Sequence, residues 1–321
     1  MTDLSKTRQN YNMNKHILLA TDGSSFARKA LKYLGQIFSP GALEVTVLAI
    51  APAAPSHLRT PNPAIKELAR QERLEKIEME NLTKAQNCVQ EAIDILIRSG
   101  WPPEFLHSKV QIKRGDLAYT ILREARQGRY DALVVGRRGL GRIASAWMGS
   151  VSQKLVTYGQ GVPLWIVAGK DWSLRFLVPL DFSSDGLKVV DHLGFILSEH
   201  PRAEIVLMHV WPWSISSTQE GPLTDLEKIY PKKFPSEGLD FFTQVRKILV
   251  EFGISPEKVW LKLKSNVLGP AGAIIKEARE GGYGTVVIGR RGQGGFKELL
   301  LGSVSMKVLS NLNNRTVWVV G

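Results

Sequence analysis

The sequence has a single cysteine, Cys88, among 321 residues. One thiol cannot form a disulfide within the chain, and it cannot supply the thiolates of a multi-cysteine zinc site. No apolar run approaches the roughly 18 residues that a membrane-spanning helix requires. The polar residues at the start of the chain also lack the apolar core of a signal peptide. These absences predict a soluble, cytoplasmic protein without a disulfide framework.

Positive charge is in excess, but it is unevenly distributed. The chain has 42 lysines and arginines against 30 acidic residues, a net charge of +12. Residues 1–170 contain 24 basic and 14 acidic residues (+10), whereas residues 171–321 contain 18 and 16 (+2). Because most of the excess lies in one half, the charge is weak support for a continuous nucleic-acid-binding face.

The chain repeats itself at an offset close to half its length. Residues 131–152 read DALVVGRRGLGRIASAWMGSVS, and residues 284–305 read GTVVIGRRGQGGFKELLLGSVS, without a gap at an offset of 153. The segment ILLATDGSS (17–25) likewise matches FLVPLDFSS (176–184) at an offset of 159. This pattern indicates a tandem duplication of one domain. We predict a polar tail at 1–12, a first domain at 13–170 and a second domain at 171–321.

Short apolar segments alternate with helical segments in both copies. This alternation predicts an α/β fold in which each domain is an open, parallel, five-stranded sheet with helices on both faces. Ligands of such sheets bind beyond the carboxyl ends of the strands, where the strand order reverses. The predicted strands are 16–20, 45–50, 109–114, 132–135 and 164–168 in the first copy, and 176–178, 205–210, 259–264, 285–288 and 316–320 in the second.

Each copy carries the motif G-x2-G-x9-G-S where a strand passes into a helix. The motif residues are Gly136, Gly139, Gly149 and Ser150 in the first copy, and Gly289, Gly292, Gly302 and Ser303 in the second. The first glycine pair follows a strand, where it allows close backbone approach to a ligand. The Gly-Ser pair precedes a helix, whose first N–H groups attract phosphate. Glycine turns and a helix cap would explain one copy, but two copies with equal spacing favour a phosphate site.

The motif, with an aspartate ending the first strand and SVS after the last glycine, resembles the ATP-binding branch of the universal stress protein family, in tandem form. The resemblance implies an adenine nucleotide alpha hydrolase-like fold and a stress-response regulator that binds ATP, with Mg²⁺ held mainly by the phosphates. It places Asp22 and Asp181 beside the adenosine, and the backbone of Ile50 and Val210 against adenine. The motif glycines and serines would hold the ribose and phosphates. The residues that it places beside the phosphates are Arg138, Val151, Ser152, Arg291, Val304 and Ser305.

Some residues depart from the family's pattern. The second copy keeps a proline two residues before the aspartate, Pro179, where the first has Ala20. This difference favours the second copy as the more typical site. Arginine pairs at 137–138 and 290–291 suggest that one arginine of each pair faces the ligand. The resemblance also implies that the last strands of the two copies, 162–169 and 316–321, pair into an internal pseudo-dimer, with further self-association possible.

Other motifs compete weakly with this interpretation. Residues 139–144 fit the dinucleotide pattern G-x-G-x-x-A, but they follow the fourth strand rather than the first, and the chain has no GxxxxGK[ST] motif. The six histidines show no metal-ligand spacing, and no catalytic side chain is evident. Besides a regulator with at most slow ATP hydrolysis, two functions stay open: an ATP-dependent phosphoryl- or nucleotidyl-transfer enzyme and a basic nucleic-acid-binding protein.

Overall fold

A computed structural model describes residues 15–55, 67–138, 148–170, 172–198, 200–211, 219–230, 235–265, 269–292 and 301–321. Gly139, the second glycine of the first motif, therefore lies outside the described residues. Among the helices of these segments, none has the length and apolar character that crossing a bilayer would require.

The first half contains five described strands and four described helices. The strands are β1 (His16–Thr21), β2 (Glu44–Ala51), β3 (Leu106–Ile112), β4 (Ala132–Gly136) and β5 (Leu164–Val167). The helices are α1 (Ser25–Ile37), α2 (Glu67–Arg98), α3 (Leu117–Gln127) and α4 (Ser150–Tyr158). All five strands overlap the predicted ones.

The second half repeats this order with one additional strand. Its strands are β6 (Arg175–Pro179), β7 (Glu204–Trp211), β8 (Gln219–Pro222), β9 (Val259–Ser265), β10 (Thr285–Gly289) and β11 (Thr316–Val320). Its described helices are α5 (Ser184–Leu197), α6 (Leu226–Ile229), α7 (Ser236–Glu251), α8 (Gly269–Glu280) and α9 (Ser303–Asn311). The sequence did not predict β8, whose residues QEGP lack the β-branched pattern of a strand. It lies at the edge of the sheet, where a proline is tolerated.

One sheet of 11 strands runs through both halves, in the order β3-β2-β1-β4-β5-β11-β10-β6-β7-β9-β8. The five equivalent strands of each half are parallel, as predicted. The halves join through β5 and β11, which pair antiparallel with Trp165 opposite Trp318. The pairing expected between the last strands is therefore present within the chain. It makes the two predicted sheets one continuous mixed sheet.

Successive strand residues point to opposite sides of the sheet. Because the strand residues are apolar on both sides, helices cover both faces. Ile17 and Leu19 belong to the core beneath α1, α2, α5 and α7, whereas Leu18 belongs to the core beneath α3, α4, α8 and α9. The predicted doubly covered sheet is confirmed. The strand order reverses between β1 and β4 and again between β6 and β10, so each half has a switch point where a crevice forms at the carboxyl ends.

Candidate functional site

A cavity of about 470 Å³ opens at the switch point of the first half, above the ends of β1, β2 and β4. It collects every residue that the sequence predicted for this site within the described part of the chain. These residues are Asp22, Ile50, Gly136, Arg138, Gly149, Ser150, Val151 and Ser152. Residues spread over 131 positions of sequence thus converge because parallel strands deliver their ends to one edge.

Two helices line the cavity with residues that the sequence did not indicate. Helix α2 contributes Asn81, Lys84, Ala85 and Cys88, and α3 contributes Leu117 and Ile121. Their apolar spacing marks a buried helix face but does not reveal which strand end that face covers. Together with strand residues such as Leu48 and Val135, they give one side of the cavity an apolar lining.

The N-terminus of α4 forms the opposite, polar side of the cavity. Gly149 is its N-cap residue and donates its N–H to the carbonyl of Arg137 at 3.0 Å. The N–H groups of the following turn, Ser150 to Ser152, have no acceptor within an α-helix. They carry the positive end of the helix dipole, which suits an anion.

The last serine of each SVS segment, Ser152 or Ser305, uses its hydroxyl group for a hydrogen bond within the protein. Ser152 donates its hydroxyl to the Gly136 carbonyl at 3.0 Å, and Ser305 donates to the Gly289 carbonyl at 2.7 Å. Both serines are buried. These bonds tie the first turn of α4 and α9 to the end of the neighbouring strand, so the hydroxyl groups fix the position of the helix N-terminus.

Gly136 is required by packing against α1. A Cβ atom on Gly136 would lie 2.6 Å from the backbone carbonyl carbon and oxygen of Phe26. This distance is far below van der Waals contact, and backbone atoms cannot rotate away. The glycine therefore lets the first turn of α1 approach the end of β4, which shapes the wall of the cavity.

The two arginines of each pair have different surroundings. Arg137 is 3% exposed and donates to the carbonyls of Leu309 and, at 3.1 Å, Leu312 at the end of α9 in the other half. Arg290, 1% exposed, donates in the same way to Val156 at 2.5 Å and Gly159 at 3.1 Å at the end of α4. Burial, with a smaller contribution from the adjacent arginine, lowers the pKa of each arginine to about 10. Each half thus caps a helix of the other, a role that the repeat itself did not reveal.

Arg138, in contrast, lines the cavity and is half-buried. One arginine of the first pair therefore reaches the candidate site, as the sequence predicted, while its neighbour holds the halves together.

The second half repeats the arrangement of the aspartate turn, the glycines and the helix N-terminus around its motif, here called the phosphate frame. Asp181 accepts the N–H of Ser183 at 3.3 Å, as Asp22 accepts that of Ser24 at 3.0 Å. Gly292 lies against Asp181, because a Cβ atom on this glycine would be 2.3 Å from the carboxylate Oδ2. Gly302 caps α9 and donates to the Arg290 carbonyl at 2.8 Å, with Ser303, Val304 and Ser305 forming the first turn.

Larger side chains surround this second frame. Gly23, whose added Cβ would lie 3.0 Å from Cys88 Sγ, corresponds to Phe182 in the repeat. Cys88 itself corresponds to Phe241, since each precedes the glycine after its helix by 12 positions (100 − 88 and 253 − 241). The rings of Phe182 and Phe241 pack with centroids 5.5 Å apart.

Histidine replaces alanine at another position of the second half. The strand registers place His209, just before Val210, where the first half has Ala49, a residue of the cavity lining. The His209 ring stacks on Phe182 with centroids 4.2 Å apart, and its Nδ1 lies 2.9 Å from the Leu180 carbonyl. Burial lowers its pKa, so the ring stays neutral. Aromatic rings thus occupy room that belongs to the cavity in the first half. The interpretation of the second copy as the more typical site, which was based on Pro179, stays a prediction.

At the opposite end of the sheet, His16, Glu44 and His107 lie together. His107 Nε2 lies 3.5 Å from Glu44 Oε2, and His16 Nε2 lies 2.8 Å from Thr46 Oγ1. Spacing along the chain could not reveal this group, because its members come from three neighbouring strands. In the second half, Arg175 and Glu204 form an ion pair at 3.0 Å at the equivalent position.

The family model described as the universal stress protein family matches residues 13–167 and again 174–321. Universal stress protein YxiE of Bacillus subtilis is 30% identical over 154 residues, which are 46% of this chain and 97% of that protein. A universal stress protein of Mycolicibacterium smegmatis is 25% identical over 229 residues, 70% of this chain and 72% of that protein.

A solved structure shares the whole architecture. The crystal structure of a universal stress protein from Archaeoglobus fulgidus superposes with a TM-score of 0.62 at 20% identity, covering 96% of this chain and 98% of that one. At this identity the likeness concerns the fold. Taken with the family model, which matches both halves over nearly their full length, it shows that the chain belongs to the universal stress protein family.

Proposed function

We propose that this protein is an ATP-binding stress-response regulator whose first half holds the nucleotide. The observation that carries the proposal is the convergence of eight predicted residues on one cavity of about 470 Å³. The apolar wall around Leu48 and Ile50 suits a purine ring, because an aromatic base gains stability by leaving water. The N-terminus of α4 and the guanidinium of Arg138 suit the phosphates.

In this proposal, Mg²⁺ accompanies the triphosphate and is coordinated mainly by it. Asp22 is the one carboxylate among the described residues that line the cavity. Its Oδ1 accepts the N–H of Ser24 at 3.0 Å. A divalent ion prefers several oxygen ligands, and the phosphate oxygens would provide them. The bound ion would neutralise phosphate charge and leave Asp22 to hold the adenosine.

We also propose that ATP hydrolysis is slow and that the complex acts as a signal. Besides Asp22, the described titratable groups in the lining are Lys84, Cys88 and Arg138. Fast phosphoryl transfer requires a residue that positions or activates the attacking water, in line with the leaving group. Asp22 is committed to the turn that begins α1, which makes it a poor base. Binding and release of ATP would then change the surface that a protein partner recognises.

The second half contributes weaker nucleotide binding in this proposal. Phe182 and His209 stack where the first half has Gly23 and Ala49, and they narrow the space for adenine. The phosphate frame around Gly302 is kept, so weak binding of the triphosphate part is compatible with the packing.

Calorimetric titration with Mg-ATP tests the proposal on the full chain. Asp22→Ala and Asp181→Ala are a matched pair, since each aspartate accepts the N–H two residues later. We expect one dominant site per chain in the unmodified protein. Loss of a charge-assisted hydrogen bond to the nucleotide should weaken binding about tenfold in Asp22→Ala, against less than about twofold in Asp181→Ala.

Two outcomes would reject parts of the proposal. If no adenine nucleotide binds, the nucleotide-binding function is wrong. If ATP binds two equal sites and both variants lose the same affinity, the assignment to the first half is wrong. Thermal denaturation of both variants shows whether either change acts through folding instead.

A further inference from the structure

A second cleft of about 500 Å³ lies where the two halves meet, beside the candidate nucleotide cavity. Its walls come from α1, from the segments that follow β4 and β5, and from the turn that precedes β11 in the other half. Besides Arg137, the polar side chains that line it are Lys29, Arg138, Lys170, Asn313, Asn314 and Arg315. The cleft therefore exists only because β5 and β11 pair.

Five of the ten described residues that line this cleft are lysine or arginine, and none of the ten is acidic. The fifth cation, Arg137, donates to carbonyls at the end of α9. Arg315 donates to the carbonyls of Ala278 at 3.5 Å and Asn314 at 3.3 Å. The described lining has no carboxylate that could neutralise the cations. Charges of one sign in a concave site focus the electric field and raise the local concentration of oppositely charged ligands.

The duplicate half provides an internal comparison. At an offset of 159, Phe26 and Lys29 correspond to Asp185 and Lys188. Lys188 forms an ion pair with Asp185 at 2.7 Å. Lys29 instead has its Nζ 5.4 Å from the centre of the Phe26 ring, an uncharged partner that does not cancel the ammonium charge. The helix position that supplies an unpaired lysine to this cleft therefore carries an ion pair in the duplicate half.

We propose that this cleft binds a polyphosphate anion, a linear chain of about three or more phosphoryl groups. Guanidinium groups match phosphate oxygens in pairs, lysines act as point charges, and the amides of Asn313 and Asn314 add donors. A volume of about 500 Å³ accommodates several phosphoryl groups rather than one. The inference does not rest on the proposed nucleotide site, because Lys29, Lys170 and Arg315 line this cleft alone.

Arg138 lines both the cleft and the nucleotide cavity. The phosphoryl groups could therefore belong to a free polyphosphate or to an extended phosphate tail on a nucleotide in the neighbouring cavity. We propose the free anion as the ligand, held independently of the nucleotide.

The probe is inorganic tripolyphosphate, titrated calorimetrically into the full chain at low ionic strength. The test variant combines Lys29→Ala with Lys170→Ala. The control combines Lys32→Ala, on the exposed side of α1, with Lys188→Ala, so that both variants lose the same charge. We expect tripolyphosphate affinity to fall about tenfold or more in the test variant and less than about twofold in the control. ATP affinity should stay within about twofold in both.

Three results would overturn the proposal. The first is no tripolyphosphate binding to the unmodified protein. The second is an equal loss in the test and control variants, which would indicate general charge attraction. The third is a parallel loss of ATP and tripolyphosphate affinity in the test variant, which would make the cleft part of the nucleotide site. Because tripolyphosphate is measured without nucleotide, failure of ATP to bind does not decide this experiment.

Discussion

Trp165 and Trp318 stack face to face across the join between the two halves, with ring centroids 4.0 Å apart and planes inclined by 5°. They are direct neighbours in the β5–β11 register, and both are fully buried. The rings of Phe38 and Phe176 pack against this pair from either side. The two halves therefore share one hydrophobic core at their junction, and the basic cleft, which takes residues from both halves, depends on that junction staying intact.

Truncating one ring of this stack should destabilise the whole protein. We expect Trp318→Ala to lower the free energy of unfolding by about 3–5 kcal/mol, because it removes a large buried side chain and leaves a cavity. Urea denaturation followed by circular dichroism measures the change. Trp260→Ala is the matched control, since Trp260 is 47% exposed on β9 and should cost less than about 1 kcal/mol. Equal losses in the two variants would contradict the role given to the stack.

Stability should fall as the pH drops below neutral because of His192. Burial lowers the pKa of His192 to about 3, and its Nε2 accepts a hydrogen bond from Trp165 Nε1 at 3.2 Å. The unfolded chain binds a proton near pH 6.5 while the folded chain does not, so unfolding gains protons as the pH falls. This group alone should remove about 2 kcal/mol of stability between pH 7 and pH 5.

His192→Gln isolates this contribution, because glutamine keeps an acceptor but does not titrate. We expect the variant to show a shallower decline in unfolding free energy over this interval than the unmodified protein. A slope that is the same in His192→Gln and in the unmodified protein would show that His192 is not responsible.

The adjacent arginines should separate stability from binding. Arg137→Ala leaves the carbonyls of Leu309 and Leu312 without their buried donor, and we expect a loss of about 2–4 kcal/mol in unfolding free energy. Arg138→Ala should change stability by less than about 1 kcal/mol, while it weakens ATP and tripolyphosphate binding together. Denaturation and calorimetry on both variants check this division. Equal destabilisation by the two changes would refute it.

Labelling of Cys88 should report on occupation of the cavity. Burial, with the nearby carboxylates of Glu91 and Asp22, raises the pKa of this thiol, so the thiolate is scarce at neutral pH. A maleimide reagent should therefore react slowly at pH 7 and faster as the pH rises. Saturating Mg-ATP should slow the reaction, since Cys88 lines the cavity, and Asp22→Ala should need about tenfold more ATP for the same protection. An unchanged rate with ATP would argue against nucleotide in this cavity.

Local patterns were enough to predict most of the strands and the helix pair that carries the motif. Side-chain periodicity predicts the strands that end before Asp22 and Asp181. Helix-cap preferences predict the helices that begin at Ser150 and Ser303. Strand β8 escaped prediction because an edge strand of QEGP is held by pairing with β9 rather than by its own propensity.

The two copies of the motif look alike in sequence, yet they have different surroundings. The residues that distinguish the second copy are Phe182 and Phe241, whose rings pack beside its motif. They lie far apart in the chain and meet only when α7 covers the end of β6. Arg137 and Arg138 are likewise neighbours of the same type. Strand geometry turns one towards α9 of the other half and the other towards the cavity.

The sequence by itself determined the duplication, the doubly covered parallel sheet and the residues that meet in one cavity, because these depend on spacing and on local backbone preference. Only the tertiary structure decided which aromatic rings pack beside the second motif, which arginine joins the halves and where positive charge gathers. Those properties depend on side chains from distant segments that share a volume. The arginine contacts and the basic cleft form because the antiparallel pairing of β5 with β11 brings the two halves together.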